Sequence, residues 1–245
     1  MTKAWIKEVK KVVYIAEKDA RIYFFKAPNL TFGLLLPMIL YLAFSIDRTM
    51  ESTSAIPGLV AMAAFFGGGA IQAVSLPLER RTGTFNMLLT SPTSLLTIIL
   101  GKTLAGFFFG TALSLAYTAI ILPFSPIPNL LPLFLGISTS SLMFSAFGLF
   151  LSAPFRDIPD AMPPATVVRI AMVFICGVFI PIEAMPAPLQ TIAYLLPLTY
   201  SVDALRQAMS ESMNVEMFLI DLLVQLLYSI GFLLATTKVL ERTIR

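Results

Sequence analysis

Six long runs of apolar residues divide the chain, and a short polar segment separates the second run from the third. The runs lie at about 29–46, 56–77, 103–122, 130–152, 164–181 and 217–237. Each approaches the ~20 residues with which an α-helix crosses ~30 Å of hydrocarbon. Helix-ending prolines cluster at their limits: Pro28, Pro57, Pro123, Pro128, Pro154, Pro159, Pro163 and Pro164. The pattern predicts an all-α membrane protein with six transmembrane helices.

Residues 1–28 have a different pattern, in which cations alternate with apolar side chains. The apolar positions Trp5, Val9, Val12 and Val13 recur at helical spacing. Such a helix lies in the membrane interface with its lysines near anionic headgroups. The alternative is a solvated helix without lipid contact. The predicted organisation is therefore an amphipathic interfacial helix over 1–28 and a six-helix transmembrane domain over 29–245.

Composition supports a membrane protein and narrows the chemistry. The chain is 57% hydrophobic and 13% charged, with a mean hydropathy of +0.85, whereas soluble domains are about 25% charged. It contains no histidine, which excludes a histidine-based zinc site or catalytic triad. Its single cysteine, Cys176, excludes an intramolecular disulfide.

The distribution of Lys and Arg predicts the orientation. If the N-terminus is inside, only Arg48 and Arg206 of the 17 cations lie outside. Because cytoplasmic loops carry the excess of Lys and Arg, both termini are expected to be cytoplasmic. The prediction is a multi-pass protein of the cell membrane, in contact with lipids and not with nucleic acid.

The polar segment 78–92 is the first candidate site. Its chemistry-bearing residues form a charged turn: Glu79, Arg80, Arg81, Thr82, Gly83 and Thr84. We expect the charges to form a mixed docking surface, Gly83 to permit a turn that a side chain would block, and Thr82 or Thr84 to cap a helix that follows. The alternative is an ordinary connecting loop on the basic side of the membrane.

Gly101-Lys102-Thr103 suggests a phosphate-binding loop. This motif needs a second glycine at position 96, where the sequence has Leu96. We therefore predict no nucleotide site and no enzymatic activity in this chain, and expect Lys102 to reach water from the end of the third span. Asp221 and Arg169 are likewise expected to reach water near span ends.

Small and hydroxylated residues recur within the spans. Gly106 and Gly110, like Gly67-Gly68-Gly69, are expected to permit close helix packing within the chain, with a dimer face as the lesser alternative. The hydroxyl-rich fourth span is compatible with either a polar path or hydrogen bonds between helices. Its hydroxyl-bearing residues in question are Ser138, Thr139, Ser140, Ser141 and Ser145.

A proline-bracketed segment follows the fifth span. Residues 189–196 are apolar but too short to cross a membrane. They predict a re-entrant or interfacial helix at the outer leaflet, with a hydrophobic surface loop as the alternative.

Two stretches of the sequence resemble motifs of type-2 ABC exporter permeases of the daunorubicin-resistance, nodulation-factor and polysaccharide-export types. The first is Leu78-Glu79-Arg80 with Gly83-Thr84, Leu88-Leu89-Thr90-Ser91-Pro92 and Gly101-Lys102. The second, the outer re-entrant signature, has the candidate residues Pro181, Pro186, Pro197, Tyr200 and Arg206. Arg81 and Asn86 stand where the family frequently has acidic residues, so this first motif is unusually basic.

The resemblance implies a dimer of permease chains, identical or not, bound to two cytoplasmic ATPase subunits. The segment from Glu79 would be the coupling helix, and replacing Glu79 or Gly83 would uncouple the ATPase while leaving the bundle folded. ATP and magnesium would be bound by the ATPase, with no cofactor in this chain.

Export of an amphipathic or drug-like substrate is the expected function. Export of a lipid-linked glycan is the alternative, for which Phe107, Phe108 and Phe109 would line a channel. A non-transporting membrane scaffold or assembly factor is the alternative of a different class.

Overall fold

The computed structural model describes residues 2–24, 33, 35–39, 42, 52–121 and 129–244, in which all regular secondary structure is helical. The α-helices are α1 Thr2–Asp19, α2 Ser52–Ala64, α3 Ile71–Arg81, α4 Thr84–Thr90, α5 Leu95–Ile121, α6 Leu130–Ser152, α7 Ile158–Ile175, α8 Ala187–Tyr194, α9 Pro197–Met209 and α10 Val215–Ile244. A π-helical turn, Ala20–Phe24, extends α1, and another, Phe65–Ala70, joins α2 to α3 in one continuous rod.

Five stretches of helix are long and apolar enough to cross a membrane: Ile56–Arg81, Leu95–Ile120, Leu130–Ser152, Ile158–Ile175 and Val215–Thr243. They correspond to the second to sixth predicted spans. The first predicted span, 29–46, lies largely outside the described residues. The predicted starts at 103 and 164 are wrong, because α5 continues through Lys102 and because Pro163 and Pro164 lie inside α7.

The rod formed by α2 and α3 packs against α5 and α6 through glycines. A Cβ atom on Gly68 would lie 3.3 Å from the Gly106 oxygen, and one on Gly110 would lie 3.0 Å from the Gly68 nitrogen. A Cβ atom on Gly69 would lie 3.0 Å from the Phe144 oxygen. These glycines therefore serve close helix packing within the chain, as predicted.

Hydroxyl groups of α6 bond to neighbouring helices. Ser145 donates to the Thr103 oxygen of α5 at 2.8 Å, and both Thr139 and Ser140 donate to Gln225 Oε1 of α10 at 3.0 Å. Gln225 Nε2 in turn donates to the Tyr200 oxygen of α9 at 3.0 Å. Three of the five predicted hydroxyls thus connect helices, which favours packing over a polar path.

Four elements meet at one end of the bundle, which we call the basic end: α1, α4, the loop between α6 and α7, and the last turn of α10. Helix α9 is buried at the other end, beside the start of α6, where Asn129 donates to the Ser210 oxygen at 3.4 Å.

Candidate functional site

The polar segment forms a tight turn between two helices. Helix α3 ends at Arg81, Gly83 has a φ of 75°, and α4 begins at Thr84. Amino acids with a side chain rarely adopt this left-handed backbone conformation. The prediction that the turn needs glycine at position 83 is therefore confirmed. The predicted capping is wrong: Thr82 and Thr84 donate to carbonyl oxygens of α3, at 2.9 Å to Leu78 and 3.4 Å to Glu79, and they close that helix instead.

Glu79 does not lie on a docking surface. Its side chain is 0% exposed and contacts two lysines, with Oε1 at 2.5 Å from Lys18 Nζ and Oε2 at 2.7 Å from Lys102 Nζ. The Tyr23 hydroxyl donates to the same carboxylate at 3.5 Å. The expected surface role is therefore wrong for Glu79, because α1 and α5 supply cations that draw its carboxylate into the protein.

Lys102 likewise does not reach water. It is 1% exposed, and its ammonium group lies 3.0 Å from Asp19 Oδ2 as well as beside Glu79. Asp19 also contacts Lys18 at 2.9 Å. We call these four residues the buried charge cluster; its two positive and two negative charges balance, which is the condition under which burial of ions is tolerated.

The cluster alters the protonation equilibria of the groups around it. Burial by itself would lower the pKa of Lys18, but the carboxylates of Asp19 and Glu79 outweigh burial and raise it. Burial, followed by the charges of Glu79 and Asp19, raises the pKa of Tyr23 well above its usual range. Lys18 therefore stays charged and Tyr23 stays neutral at physiological pH.

Helix α1 contacts α5 along its length. Thr97 donates to Glu8 Oε2 at 2.8 Å, and Lys11 bonds both Glu8 Oε1 at 2.6 Å and the Pro92 oxygen at 2.5 Å. These side-chain hydrogen bonds, from Lys11 and then from Thr97, lower the pKa of Glu8. Gly101 completes the contact, since a Cβ atom there would lie 2.7 Å from Ile15 Cβ.

The Gly101-Lys102-Thr103 run is therefore helical rather than a loop. Its glycine allows α1 to approach and its lysine joins the buried charge cluster.

A second face of α1 is apolar and uncovered. Val9 and Val13, two members of the stripe read from the sequence, are exposed, whereas Ile15, Ala16 and Asp19 face the protein. Helix α1 covers much of the predicted segment, and of its apolar stripe Val9 and Val13 are exposed, whereas the backbone of Val12 lies against Gly101 of α5. Its position at a membrane surface stays a prediction.

Arg80 connects the turn to the loop between α6 and α7. Its Nη1 donates to the Ala153 oxygen at 3.0 Å and to the Phe155 oxygen at 2.6 Å, and its guanidinium lies 5.6 Å from the centre of the Phe85 ring. Phe85 is buried and anchors α4, whereas Met87 on the same helix is 72% exposed. Helix α4 is thus fixed on one side and open on the other.

A groove of about 410 Å³ opens beside α4; it is lined by Arg80, Arg81, Phe85, Asn86, Leu89, Arg156, Asp157 and Thr243. We call it the basic groove. Arg81 and Arg156 are exposed, and no carboxylate of the described residues forms an ion pair with them or with Arg80. The unusual positive charge at position 81 is therefore one of three arginine charges that line this groove.

The second set of predicted site residues lies at the other end of the bundle. Pro186 precedes α8, a largely exposed helix that overlaps the predicted segment 189–196. Pro197 begins α9, whose buried side the sequence did not reveal. The Tyr200 hydroxyl donates to the Tyr194 oxygen at 2.8 Å, and Arg206 bonds Asp203 Oδ1 at 3.1 Å and the Gly177 oxygen at 3.2 Å.

Pro181 precedes a 3₁₀ turn, Ile182–Ala184, in the same connection. A re-entrant position of this region stays a prediction.

Two further ionisable residues differ from expectation. Arg169 lies in the middle of α7, and its side chain is buried. Its Nε donates to the Ala165 oxygen of the preceding turn at 3.0 Å. Asp221 is only 9% exposed. Neither therefore reaches water freely.

The phenylalanines of the glycan alternative lie on α5. Phe108 is 60% exposed and packs against Phe107 with ring centres 5.2 Å apart. Because Phe108 is exposed and Phe107 is half-buried, the pair does not line a channel within the chain.

Comparison with known proteins places the chain in a family. The model of the ABC-2 type transporter family matches residues 18–210, most of the chain. Over 157 residues the chain is 26% identical to the probable multidrug ABC transporter permease YbhR of Escherichia coli strain K12, and equally to that of Escherichia coli O157:H7. The alignment covers 62% of this chain and 42% of YbhR, so the chain spans less than half the length of these relatives. The chain belongs to the ABC-2 type transporter family and is a membrane permease of the ABC class.

Proposed function

We propose that this chain is the transmembrane subunit of an ATP-driven exporter and that α4 receives the movement of separate ATPase subunits. One observation carries the proposal: α4 is open to solvent at Met87, yet is joined through α3 to the buried charge cluster. A displacement of α4 would move Glu79, which contacts α1 through Lys18 and α5 through Lys102. The segment is therefore suited to passing a force from water into the bundle.

The contact with the ATPase would be complementary in charge. Because Glu79 is buried, the charges beside α4 are those of the basic groove, in which the cations Arg80, Arg81 and Arg156 outnumber the single carboxylate of Asp157. An acidic segment of the ATPase fits this groove. The assembly would contain two ATPase subunits, which bind ATP and magnesium, and a second permease chain.

The substrate of the proposed exporter is an amphipathic or drug-like molecule. Support comes from the relatives described as probable multidrug permeases. The exposed position of Phe108 gives no support to a glycan channel within one chain. Membership of a transporter family favours a transport function over a non-transporting scaffold.

Charge reversal in the basic groove tests the proposed contact. The double variant Arg81→Glu/Arg156→Glu is expected to weaken binding of the ATPase at least about tenfold, because like charges then face each other. Met87→Asp is expected to weaken binding as well, by placing a charge in the apolar part of the contact. Affinity is measured with the ABC ATPase that co-purifies with the wild-type chain, identified by mass spectrometry and expressed separately.

The matched control is Lys7→Glu/Lys10→Glu, which changes the net charge equally on the exposed face of α1. Equal weakening by both double variants would show a general charge effect and no acidic contact at the groove. Unchanged binding in all variants, Met87→Asp included, would refute α4 as the ATPase contact.

The proposed orientation places the basic end in the cytoplasm. In a Cys176→Ala background, a cysteine at exposed Thr82 is expected to react with a membrane-impermeant maleimide in inverted vesicles and not in intact cells. A cysteine at Glu211, between α9 and α10, is expected to show the opposite pattern. Labelling of Thr82→Cys in intact cells would overturn this topology.

A further inference from the structure

Asp221 is a nearly buried carboxylate inside a membrane-spanning helix. It lies six residues after the start of α10 at Val215, about 9 Å along the helix axis. It forms no hydrogen bond or ion pair with any other residue that the structure describes. An ionisable group at such a position is costly to bury and commonly marks the path of a ligand or an ion.

The groups around Asp221 leave its charge unbalanced. Its carboxylate lies within electrostatic range of Asp203 and of the Tyr200 hydroxyl. Asp203 is paired with Arg206 at 3.1 Å, whose second nitrogen donates to the Gly177 oxygen, so that this cation is already engaged. The amide of Gln225, one turn along α10, is occupied by α6 and α9. Asp221 therefore has no counter-charge among the described residues.

An apolar groove runs along α10 close to Asp221 in the sequence. It has a volume of about 310 Å³ and is lined by Val224, Leu227, Tyr228, Gly231 and Phe232; Asp221 is not part of this lining and precedes its first residue, Val224, by about one helical turn. Asp221, Tyr228 and Phe232 share one face of the helix, since they are spaced by seven and four residues. The groove has the size of small-ligand sites.

Aromatic rings form one wall of this groove. The rings of Tyr228 and Phe232 stack with centres 5.7 Å apart, and Tyr200 lies 6.2 Å from Tyr228. The Tyr228 hydroxyl donates to the Leu195 oxygen at 3.0 Å, which fixes its ring. Ring faces of this kind attract organic cations, while their edges and the aliphatic residues accept apolar groups.

We propose that Asp221 and this groove bind a cationic amphiphile. The positive group lies at the Asp221 carboxylate, and the apolar body lies against Tyr228 and Phe232. Phe232, the farther of the two, is about 16 Å from Asp221 along the helix axis. The proposal deepens the proposed export function by giving the substrate a charge class, and it rests on that function only for the direction of transport.

Equilibrium binding to the full chain in lipid nanodiscs, without ATPase or ATP, tests the site. The probes are dodecyltrimethylammonium, a permanent cation with one apolar chain, and dodecanol, its uncharged relative. Asp221→Asn is expected to weaken binding of the cation at least about tenfold, because the counter-charge is lost, and to change binding of the uncharged compound less than about twofold. Asp221→Glu is expected to retain binding of the cation.

Glu216→Gln is the matched control, because it removes an exposed carboxylate from the first turn of the same helix. It is expected to leave both affinities unchanged. A melting temperature of Asp221→Asn at or above that of the wild type would show that the loss of binding is not a loss of fold.

Three results would each overturn the proposal: no saturable binding of dodecyltrimethylammonium to the wild type, an unchanged affinity in Asp221→Asn, or an equal loss for both probes. Because the measurement involves no ATPase, its failure leaves the coupling proposal at α4 untouched. A failure at α4 likewise leaves this site testable.

Discussion

Replacing Lys102 by methionine is expected to lower the free energy of unfolding by about 3–5 kcal/mol, because a carboxylate then stays buried without sufficient counter-charge. In the native protein Lys102 contacts both Asp19 and Glu79, whose side chains are 0% exposed. Only Lys18 would remain for two carboxylates. Methionine retains the length and apolar stem of lysine, so the change tests charge rather than volume.

Chemical unfolding in detergent micelles measures this loss. Lys11→Met is the matched control, since Lys11 pairs with Glu8 and donates to the Pro92 oxygen near the surface, and its replacement is expected to cost less than that of the buried Lys102. The double variant Glu79→Gln/Lys102→Met restores the balance of charge and is expected to recover part of the loss. A loss in Lys102→Met no larger than that in Lys11→Met would show that the cluster contributes little to stability.

The burial of Glu79 changes what its replacement means. Viewed in the sequence, Glu79 is a surface residue whose substitution spares the fold and affects only the ATPase. In the structure it connects three elements, so its replacement is expected to reduce stability as well as coupling. Met87 and Arg81, which are exposed, are the better probes of coupling alone.

Local patterns predicted those features that depend on neighbouring residues. The fourth span agrees with α6 at both ends, Gly83 has the positive φ that its turn requires, and a helix follows that turn. Each depends on apolar length or on backbone conformation over a few residues. Such features need no knowledge of the distant chain.

Features that depend on distant partners were not predictable in the same way. Lys102 is separated by 83 residues from Asp19, and nothing near it in the sequence indicates a buried partner. Local sequence therefore predicts that α5 starts after Lys102 and that Glu79 lies on the surface. A signal was nevertheless present, since Asp19, Glu79 and Lys102 are charges beside predicted membrane spans, where unpaired ions are costly.

Gly148→Ala is expected to lower the free energy of unfolding by about 2–3 kcal/mol, because the added methyl group meets backbone that cannot move aside easily. A Cβ atom on Gly148 of α6 would overlap the carbonyl oxygen of Gly69 and lie 3.0 Å from Gln72 Cβ. Gly69 belongs to the π-helical turn that joins α2 to α3. To admit the methyl group, α6 would have to separate from the rod at the centre of the bundle, weakening hydrogen bonds such as that from Ser152 to the Gln72 oxygen, at 3.1 Å.

Gly231→Ala provides the opposite control within a membrane-spanning helix. Nothing lies within 4 Å of a Cβ atom at Gly231, so the substitution is expected to leave stability unchanged or raise it by about 0.5–1 kcal/mol through the lower entropy of the unfolded chain. Both variants add one methyl group to a helix, and unfolding in the same detergent compares them directly. A shared gain in stability would mean that α6 and the rod do not pack closely at Gly148. A loss confined to Gly148→Ala would identify the glycine contact as the element that holds α6 against the helix leading to α4.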